Sequence, residues 1–336
     1  MMKLRMSPFR QEAHISFNHE NKTVLKNNNK DIDILCVGEV LVDFIGHQTG
    51  VLISDTRDYH RYLGGSPANV AMNSARLGLK SVMVATVGND SFGEYIFERL
   101  AGVGVNTNYI KTISTKPTSV VFVSKTDSTP DFIPFRKADS HILEDQISAD
   151  LLSKTNIYHT TCFALSKNPA QTTILNKAEE AFNQGCKLSI DVNYAEKLWH
   201  SQEEALKVIK AYCKFNPLVK ISEDDMLRLF EQKLPHEDIF NFFHSEGVDT
   251  VCLTLGSKGV KLSQKGRDVI QLPAIQIEVV QDATGAGDAF WSGFLFAYIK
   301  ERPIEKCLEV ALQLAALKLQ NVGRLPDNIN ILSELL

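Results

Sequence analysis

The stretch Gln281-Asp282-Ala283-Thr284-Gly285-Ala286-Gly287-Asp288-Ala289-Phe290 decides how this chain is read. Beyond Asp288, small and apolar residues continue as Ala289, Phe290, Gly293, Phe294, Ala297 and Tyr298, the spacing of a helix. The decapeptide is therefore a loop running into a helix. Gly285, Ala286 and Gly287 fall where the helix begins, and small residues there let an anion approach backbone N–H groups at the positive end of the helix dipole. Asp288 follows inside the first turn. A carboxylate repels phosphate, so it suits simple anion binding poorly. It suits a base that takes a proton from a hydroxyl attacking phosphate. The plainer alternative is a glycine turn in which Asp288 is an ordinary helix-start carboxylate. Gly293 would allow close packing on a neighbouring element.

Leu63-Gly64-Gly65-Ser66-Pro67-Ala68-Asn69-Val70-Ala71 reads as a second turn entering a helix. Gly64 and Gly65 permit close approach of a ligand to the backbone. Ser66 is expected as the N-cap and Pro67 as the first helical residue. The helix that follows is rich in small residues and stops at Gly78. Asn69 is polar in the first turn and can hydrogen-bond the hydroxyls of a ligand. Taken alone, this stretch reads first as a well-capped core helix without a ligand.

Together and in this order, the two stretches resemble the paired signatures of the ribokinase/PfkB family of sugar and nucleoside kinases. The C-terminal one has the core Asp-Thr-x-Gly-Ala-Gly-Asp, and this chain carries Ala283 at the Thr position. The resemblance runs over roughly residues 31 to 325. It implies an α/β fold: a ribokinase-like three-layer α/β/α sandwich, with a mostly parallel central sheet and a small β-sheet lid. The kinase domain is expected over 31–330, with lid segments at about 41–63 and 117–136, and a flexible polar tail over 1–30.

The resemblance also implies roles. Asp288 would be the base, with the amides of Gly285, Ala286 and Gly287 holding charge on the transferred group. Asp43, at the exit of Gly38-Glu39-Val40-Leu41-Val42-Asp43, would bind two sugar hydroxyls, since one carboxylate accepts two such bonds. Gly64, Gly65, Asn69 and Arg136 of the Phe135-Arg136 pair would complete the sugar site. Asp191 and Asn193, then Ser222, Thr254, Gly256, Ser257 and Gly259, would line the ATP groove. Ser222 and Asp225 stand where the family has Asn and Glu, and Asp225 would reach Mg2+ through water. A monovalent cation, K+, beside Asp282 is admitted by some relatives and not required here. Ala195 replaces a family Arg.

The rest of the chain agrees with such a protein. Apolar runs at Ile34 to Val37, Val82 to Val87, Ile157 to Tyr158, Leu188 to Ile190, Val219 to Ile221 and Val251 to Leu253 alternate with helical stretches ending at Gly78, Gly185 and Gly247. This is the pattern of βαβ units in a parallel sheet, where ligands bind beyond the carboxyl ends of strands. Asp43, Asp191 and Asp288 are each expected just past such an end. Asp90 reads as a helix cap.

Of 336 residues, 44% are hydrophobic and 23% charged, ordinary for a folded domain. A net charge of −4 offers no basic footprint for nucleic acid. No apolar run reaches the roughly 20 residues that span a bilayer, and the N-terminus lacks a secretory signal pattern. The six cysteines form no CxxC and are expected buried and reduced in the cytoplasm. The nine histidines show no metal spacing.

The expected activity is transfer of the γ-phosphate of ATP to a primary hydroxyl, with fructose first among acceptors. A 2-keto-3-deoxygluconate or 5-dehydro-2-deoxygluconate comes second and a nucleoside third. Ala195 weighs against a carboxylate substrate. A dinucleotide oxidoreductase would need GxGxxG after the first strand, where this chain has Gly38-Glu39-Val40-Leu41-Val42. A sugar-sensing pseudokinase would have no use for Asp288 behind three small residues. Unpaired lid edges allow a homodimer.

Overall fold

The computed structural model describes residues 30–125, 131–323, 325, 326 and 329. The expected tail therefore lies outside the described residues apart from Lys30, as do residues 126–130 of the second lid segment.

The first half of the chain forms β1 (Ile32–Val37), β2 (Leu41–Thr49), β3 (Tyr59–Gly64), α1 (Ser66–Arg76), β4 (Ser81–Gly88), α2 (Ser91–Ala101), β5 (Asn106–Ile113), β6 (Val120–Lys125) and β7 (Phe132–Phe135). The second half gives α3 (Ala149–Ser153), β8 (Thr155–Thr161), α4 (Ala170–Asn183), β9 (Lys187–Asp191), α5 (Gln202–Cys213), β10 (Leu218–Ser222) and α6 (Glu223–Phe230). It ends in α7 (His236–Ser245), β11 (Thr250–Thr254), β12 (Val260–Gln264), β13 (Ile270–Leu272), α8 (Ala286–Ile299) and α9 (Ile304–Leu319).

Nine strands make one sheet in the order β13-β12-β11-β10-β9-β8-β1-β4-β5. From β11 to β5 every pairing is parallel, and β12 and β13 add an antiparallel edge. The continuous apolar runs follow from this arrangement, because a parallel strand is covered on both faces. In β1, Leu35 and Val37 face one core with Tyr158, Ile174 and Phe243. Ile34 and Cys36 face another with Ala71, Phe294 and Leu314. The two-residue alternation of a strand thus feeds two cores, and the result is the expected three-layer sandwich. Gly78, Gly185 and Gly247 all adopt positive φ where helices stop, and Asp90 caps α2 by accepting from the amides of Phe92 and Gly93.

The β-type runs without helices form a separate four-stranded sheet, β3-β2-β6-β7. It is mixed: β2 pairs antiparallel with β3 but parallel with β6, and β6 pairs antiparallel with β7. Phe44 stacks on Phe122 at 5.1 Å, with Tyr59 and Phe135 edge-on to Phe122, which gives the small sheet an aromatic face of its own.

Helix α8 begins within the Gly285-Ala286-Gly287-Asp288 stretch and is buried along its length from Ala289 to Ala297. Trp291 donates to Ser189 Oγ of β9 at 2.9 Å, which ties the helix to the sheet. On its other side a Cβ at Gly293 would sit 2.9 Å from the carbonyl oxygen of Val310 and 3.0 Å from the Cα of Ala311. The close packing expected of Gly293 is therefore against α9. Replacing Gly293 by Leu should force the helices apart and lower stability by about 1–3 kcal/mol or more. A urea melt checks this, and an unchanged midpoint would show that the two backbones do not meet there.

Candidate active site

A cavity of about 490 Å³ opens between the small sheet and the carboxyl edge of the large one. Asp43, Val121 and Phe132 come from the small sheet, Gly65, Ser66 and Asn69 from the start of α1, and Gly285 and Asp288 from the start of α8. Residues separated by most of the chain meet because both helices start at the same edge.

Asp288 lies in the first turn of α8, behind Gly285 in the left-handed conformation (φ 75°). Its two oxygens accept from Ser66 Oγ at 2.6 Å and from Asn69 Nδ2 at 2.8 Å. Burial pushes its pKa above the ordinary carboxylate range, and the bonds from Ser66 and Asn69 only partly offset this. A carboxylate held by two donors is oriented, and a raised pKa makes it more ready to take a proton. Ala286 N–H is taken by Ala283 O at 3.2 Å, whereas the amides of Gly285 and Gly287 have no acceptor among the described residues. Of the three amides expected to face an anion, two are therefore left open.

Asp43 reaches the cavity from within β2 and not from beyond a strand end, which corrects its expected placement. Burial, and then the charge of Asp288, raise its pKa to about 7. Gly64 makes that position possible: a Cβ there would lie 2.2 Å from Asp43 Oδ2. Its role is to leave room for the carboxylate, and it does not line the cavity. Gly65 does line it, at φ 102°, with its Cα side pressed on Glu39 O, which a Cβ would approach to 2.4 Å. Gly65, not Ser66, is the N-cap of α1. The serine hydroxyl is thereby free for Asp288.

Arg136 departs from its expected position over the sugar. It is buried, with Nη2 2.6 Å from Asp139, Nη1 donating to Phe163 O and to Ser166 Oγ, and its guanidinium 4.3 Å from the Phe163 ring. Phe163 lines the cavity and Arg136 stands behind it.

The expected nucleotide residues gather at the carboxyl ends of β9, β10 and β11. Asp191 closes β9 and is buried against Lys220 Nζ at 2.8 and 2.9 Å, so its oxygens are committed to the lysine. Asn193 accepts from the amide of Phe163 at 3.0 Å and lines the cavity. Ser222 caps α6 in a reciprocal box with Asp225. Thr254 ends β11, and Gly256 and Ser257 follow in a single 3-10 turn. Gly259, at φ 99°, has a packing reason: a Cβ would be 2.1 Å from Leu272 O.

Asp225 also lines the cavity, with one oxygen on Ser222 and the other 2.7 Å from Arg228 Nη2. With both oxygens engaged, it fits a metal reached through water and not by direct coordination. No group of three or more His, Cys, Asp or Glu side chains able to hold a metal occurs among the described residues. Asp282 does not suit K+. Lys318 Nζ sits 3.1 Å from its carboxylate, which also accepts from the amides of Thr284 and Gly323. An ammonium already holds the place where the monovalent cation was admitted.

Three residues were passed over in the sequence, Lys220, Glu39 and Arg228, and Ser66 was read only as a cap. Lys220 lies in the middle of β10, between Val219 and Ile221, and its Nζ would be 3.1 Å from a Cβ on Gly287. Burial opposes its charge, but Asp191, Asp225 and Asp288 outweigh that and hold its pKa above the ordinary lysine value. A lysine inside a buried strand is itself a signal, since it must be paired. Glu39, 2% exposed, accepts from Ser66 N at 3.1 Å and Thr161 Oγ1 at 2.8 Å, and burial raises its pKa to about 8. Ser66 and Arg228 carried no local signal for the bonds they make.

A model of the pfkB family carbohydrate kinases matches residues 31–329. An ATP-dependent 6-phosphofructokinase of Thermoanaerobacterium thermosaccharolyticum is 36% identical over 312 residues, 93% of this chain and 94% of that protein. The structure of Halothermothrix orenii fructokinase superposes with a TM-score of 0.76 at 33% identity, covering 84% of this chain and 98% of that one. An uncharacterized sugar kinase from Pyrococcus horikoshii in complex with ATP gives 0.78 at 29% identity, covering 90% and 100%.

The raised pKa of Asp43 has a consequence for stability. Its protonated form favours folding, a contribution complete below the unfolded value of about 3.9. That contribution is lost as pH rises through about 7. Asp43→Asn should therefore raise the melting temperature of the ligand-free protein at pH 8 and raise it much less at pH 4. Equal effects at both values would show that the carboxylate is not ionised against its surroundings.

Proposed function

The chain belongs to the pfkB family of carbohydrate kinases, and we propose that, among unphosphorylated sugars, its acceptor is fructose, phosphorylated on a primary hydroxyl. The observation that carries the chemistry is Asp288, fixed by Ser66 and Asn69 in the first turn of α8 and facing the same cavity as Asp43. The hydroxyl oxygen attacks the γ-phosphorus of ATP, and the bond from that phosphorus to the β–γ bridging oxygen breaks. ADP leaves, and the hydroxyl proton passes to Asp288. The amides of Gly285 and Gly287 take the charge on the moving phosphoryl group, where fixed donors are most effective. Lys220, beneath Gly287, adds a fixed positive charge.

Asp43, Gly65 and Asn69 orient the sugar. Ser222, Thr254, Gly256 and Ser257 border the nucleotide, and structures of relatives with ATP support that reading. Magnesium would be held mainly by ATP phosphates, with Asp225 meeting it through water, and would neutralise phosphate charge. The small sheet acts as a lid: it supplies Asp43 and Phe132 to one wall of the cavity, and its closure keeps water from competing as acceptor. Fructokinase and 6-phosphofructokinase relatives support a fructose framework. Six cysteines, all buried and free, support action in the cytoplasm, and no helix among the described residues is long and apolar enough to cross a membrane.

Asp288→Asn keeps the shape while removing proton acceptance; its oxygen can still accept from Asn69 Nδ2, and its amide can donate to Ser66 Oγ, whose hydroxyl then turns to accept. Its kcat should fall by about 10²–10⁴ with little change in sugar binding. A near wild-type kcat would remove Asp288 from the role of base. ADP release measured with fructose, 2-keto-3-deoxygluconate, ribose and adenosine should give the highest kcat/KM for fructose. A higher value for the keto-acid would reverse the ranking.

A further inference from the structure

The chain runs from β13 to α8 without a strand or helix. From Glu278 to Thr284 every residue but Asp282 is exposed, so this entry to the catalytic helix has few anchors. Gln281 is one, its amide donating to Leu319 O at 2.8 Å. Asp282 is the other. Its carboxylate accepts from Thr284 N and Gly323 N, each at 2.9 Å. Lys318, in the last turn of α9, completes the knot from below. Its Nζ donates to Asp282 Oδ2 and to Asn321 O, both at 3.1 Å, and to Asp282 O at 3.3 Å. An ammonium has three donors, and all three are engaged here. Lys318 is 3% exposed, a burial that a lysine accepts only when paired, and none of its N–H groups is left to bond a phosphate. Its Cε nevertheless lies 3.9 Å from the place of a Cβ on Gly285, the left-handed residue from which α8 starts. Burial raises the pKa of Asp288, and the charges of Lys220 and Lys318 oppose the rise.

We propose that Lys318 is a positioning residue for phosphoryl transfer: its ammonium stands in place of a monovalent cation among the oxygens of Asp282 and Asn321, and so fixes the turn at Gly285 that presents open amides to the transferred group. Two backbone carbonyls and a carboxylate oxygen converging on one point are the donor set of a hard cation. Here that cation is tethered to a helix, so no ion has to be bound from solution before the turn is ordered, and none is lost when salt is removed. The wild-type enzyme is therefore indifferent to which monovalent salt is present. This role rests on the reading of Asp288 as the base; the occupation of the oxygen cage by Lys318 does not.

The full chain is assayed with the sugar of the panel that turns over fastest, in potassium, sodium or tetramethylammonium chloride at one ionic strength. Wild-type kcat should be the same in all three. Lys318→Met keeps the stem and removes the charge; its kcat should fall by about 10²-fold while the KM for the sugar, set by Asp43, Gly65 and Asn69, stays as it was. Lys318→Ala leaves room for an ion. Potassium chloride, and not tetramethylammonium chloride, should restore its kcat and raise its melting temperature, and should do neither for the wild type or for Lys318→Met. A wild type that requires potassium, a Lys318→Met variant with wild-type kcat, or a Lys318→Ala variant that responds alike to all three salts would overturn the proposal. If Lys318→Ala fails to fold even in potassium chloride, the kcat and KM of Lys318→Met decide. A wild type that phosphorylates no sugar would sink the kinase reading, and the melting of Lys318→Ala in the three salts would still report whether the ammonium holds a cation's place.

Discussion

Lys220 holds its ammonium 2.8 and 2.9 Å from the two oxygens of Asp191, in a strand buried by both cores. Moving charges out of water is costly unless each is matched, and here one cation answers Asp191 at contact and Asp225 and Asp288 at longer range. Three acidic residues can therefore be crowded around one opening at the carboxyl edge of the sheet. The same cation sits next to Gly287, where α8 begins, so the positive end of the helix and the lysine add at one point. A Cβ at 287 would come within 3.1 Å of the ammonium, so any larger residue there would press on the lysine.

Much of this was legible in the sequence, for a reason that differs from element to element. The large sheet could be read because a parallel strand needs an unbroken apolar run and leaves no doubt about burial. The start of α8 could be read because its glycines and its aspartate are contiguous. Gly293 could be read as a packing residue, and it is one. The register of the small sheet could not, since β2 pairs with β6 across a long excursion of chain that no local pattern records. Arg136 was misplaced because its identity says nothing about Asp139, which turns it away from the cavity. Ser66 was given the cap, which Gly65 holds by its positive φ, and its hydroxyl goes to Asp288 instead. Side chains that act through distant partners are the ones a linear reading loses.

The glycines near the site divide in the same way. Gly65 and Gly285 border the cavity, and their backbone conformations put them in the left-handed half of φ. Gly64 and Gly259 do not touch a ligand-sized space, yet any side chain would strike Asp43 in one case and the backbone of Leu272 in the other. A glycine in a signature stretch can thus mark a neighbour's position and not a contact of its own.

The parallel pairing of β2 with β6 has a consequence for how the molecule is made. A ribosome delivers β2 and β3 early, and they close on each other as a hairpin, but the other flank of β2 stays open until β6 emerges. In the interval the chain must produce β4 and β5 of the large sheet together with helices α1 and α2. An unsatisfied strand flank is a place where one nascent chain can capture another. Gln48, Arg57 and Asp58, polar residues around the far end of that hairpin, bond to one another and keep its tip wet during the wait. The small sheet is thus begun early and finished only after three of the nine strands of the large sheet have been synthesised.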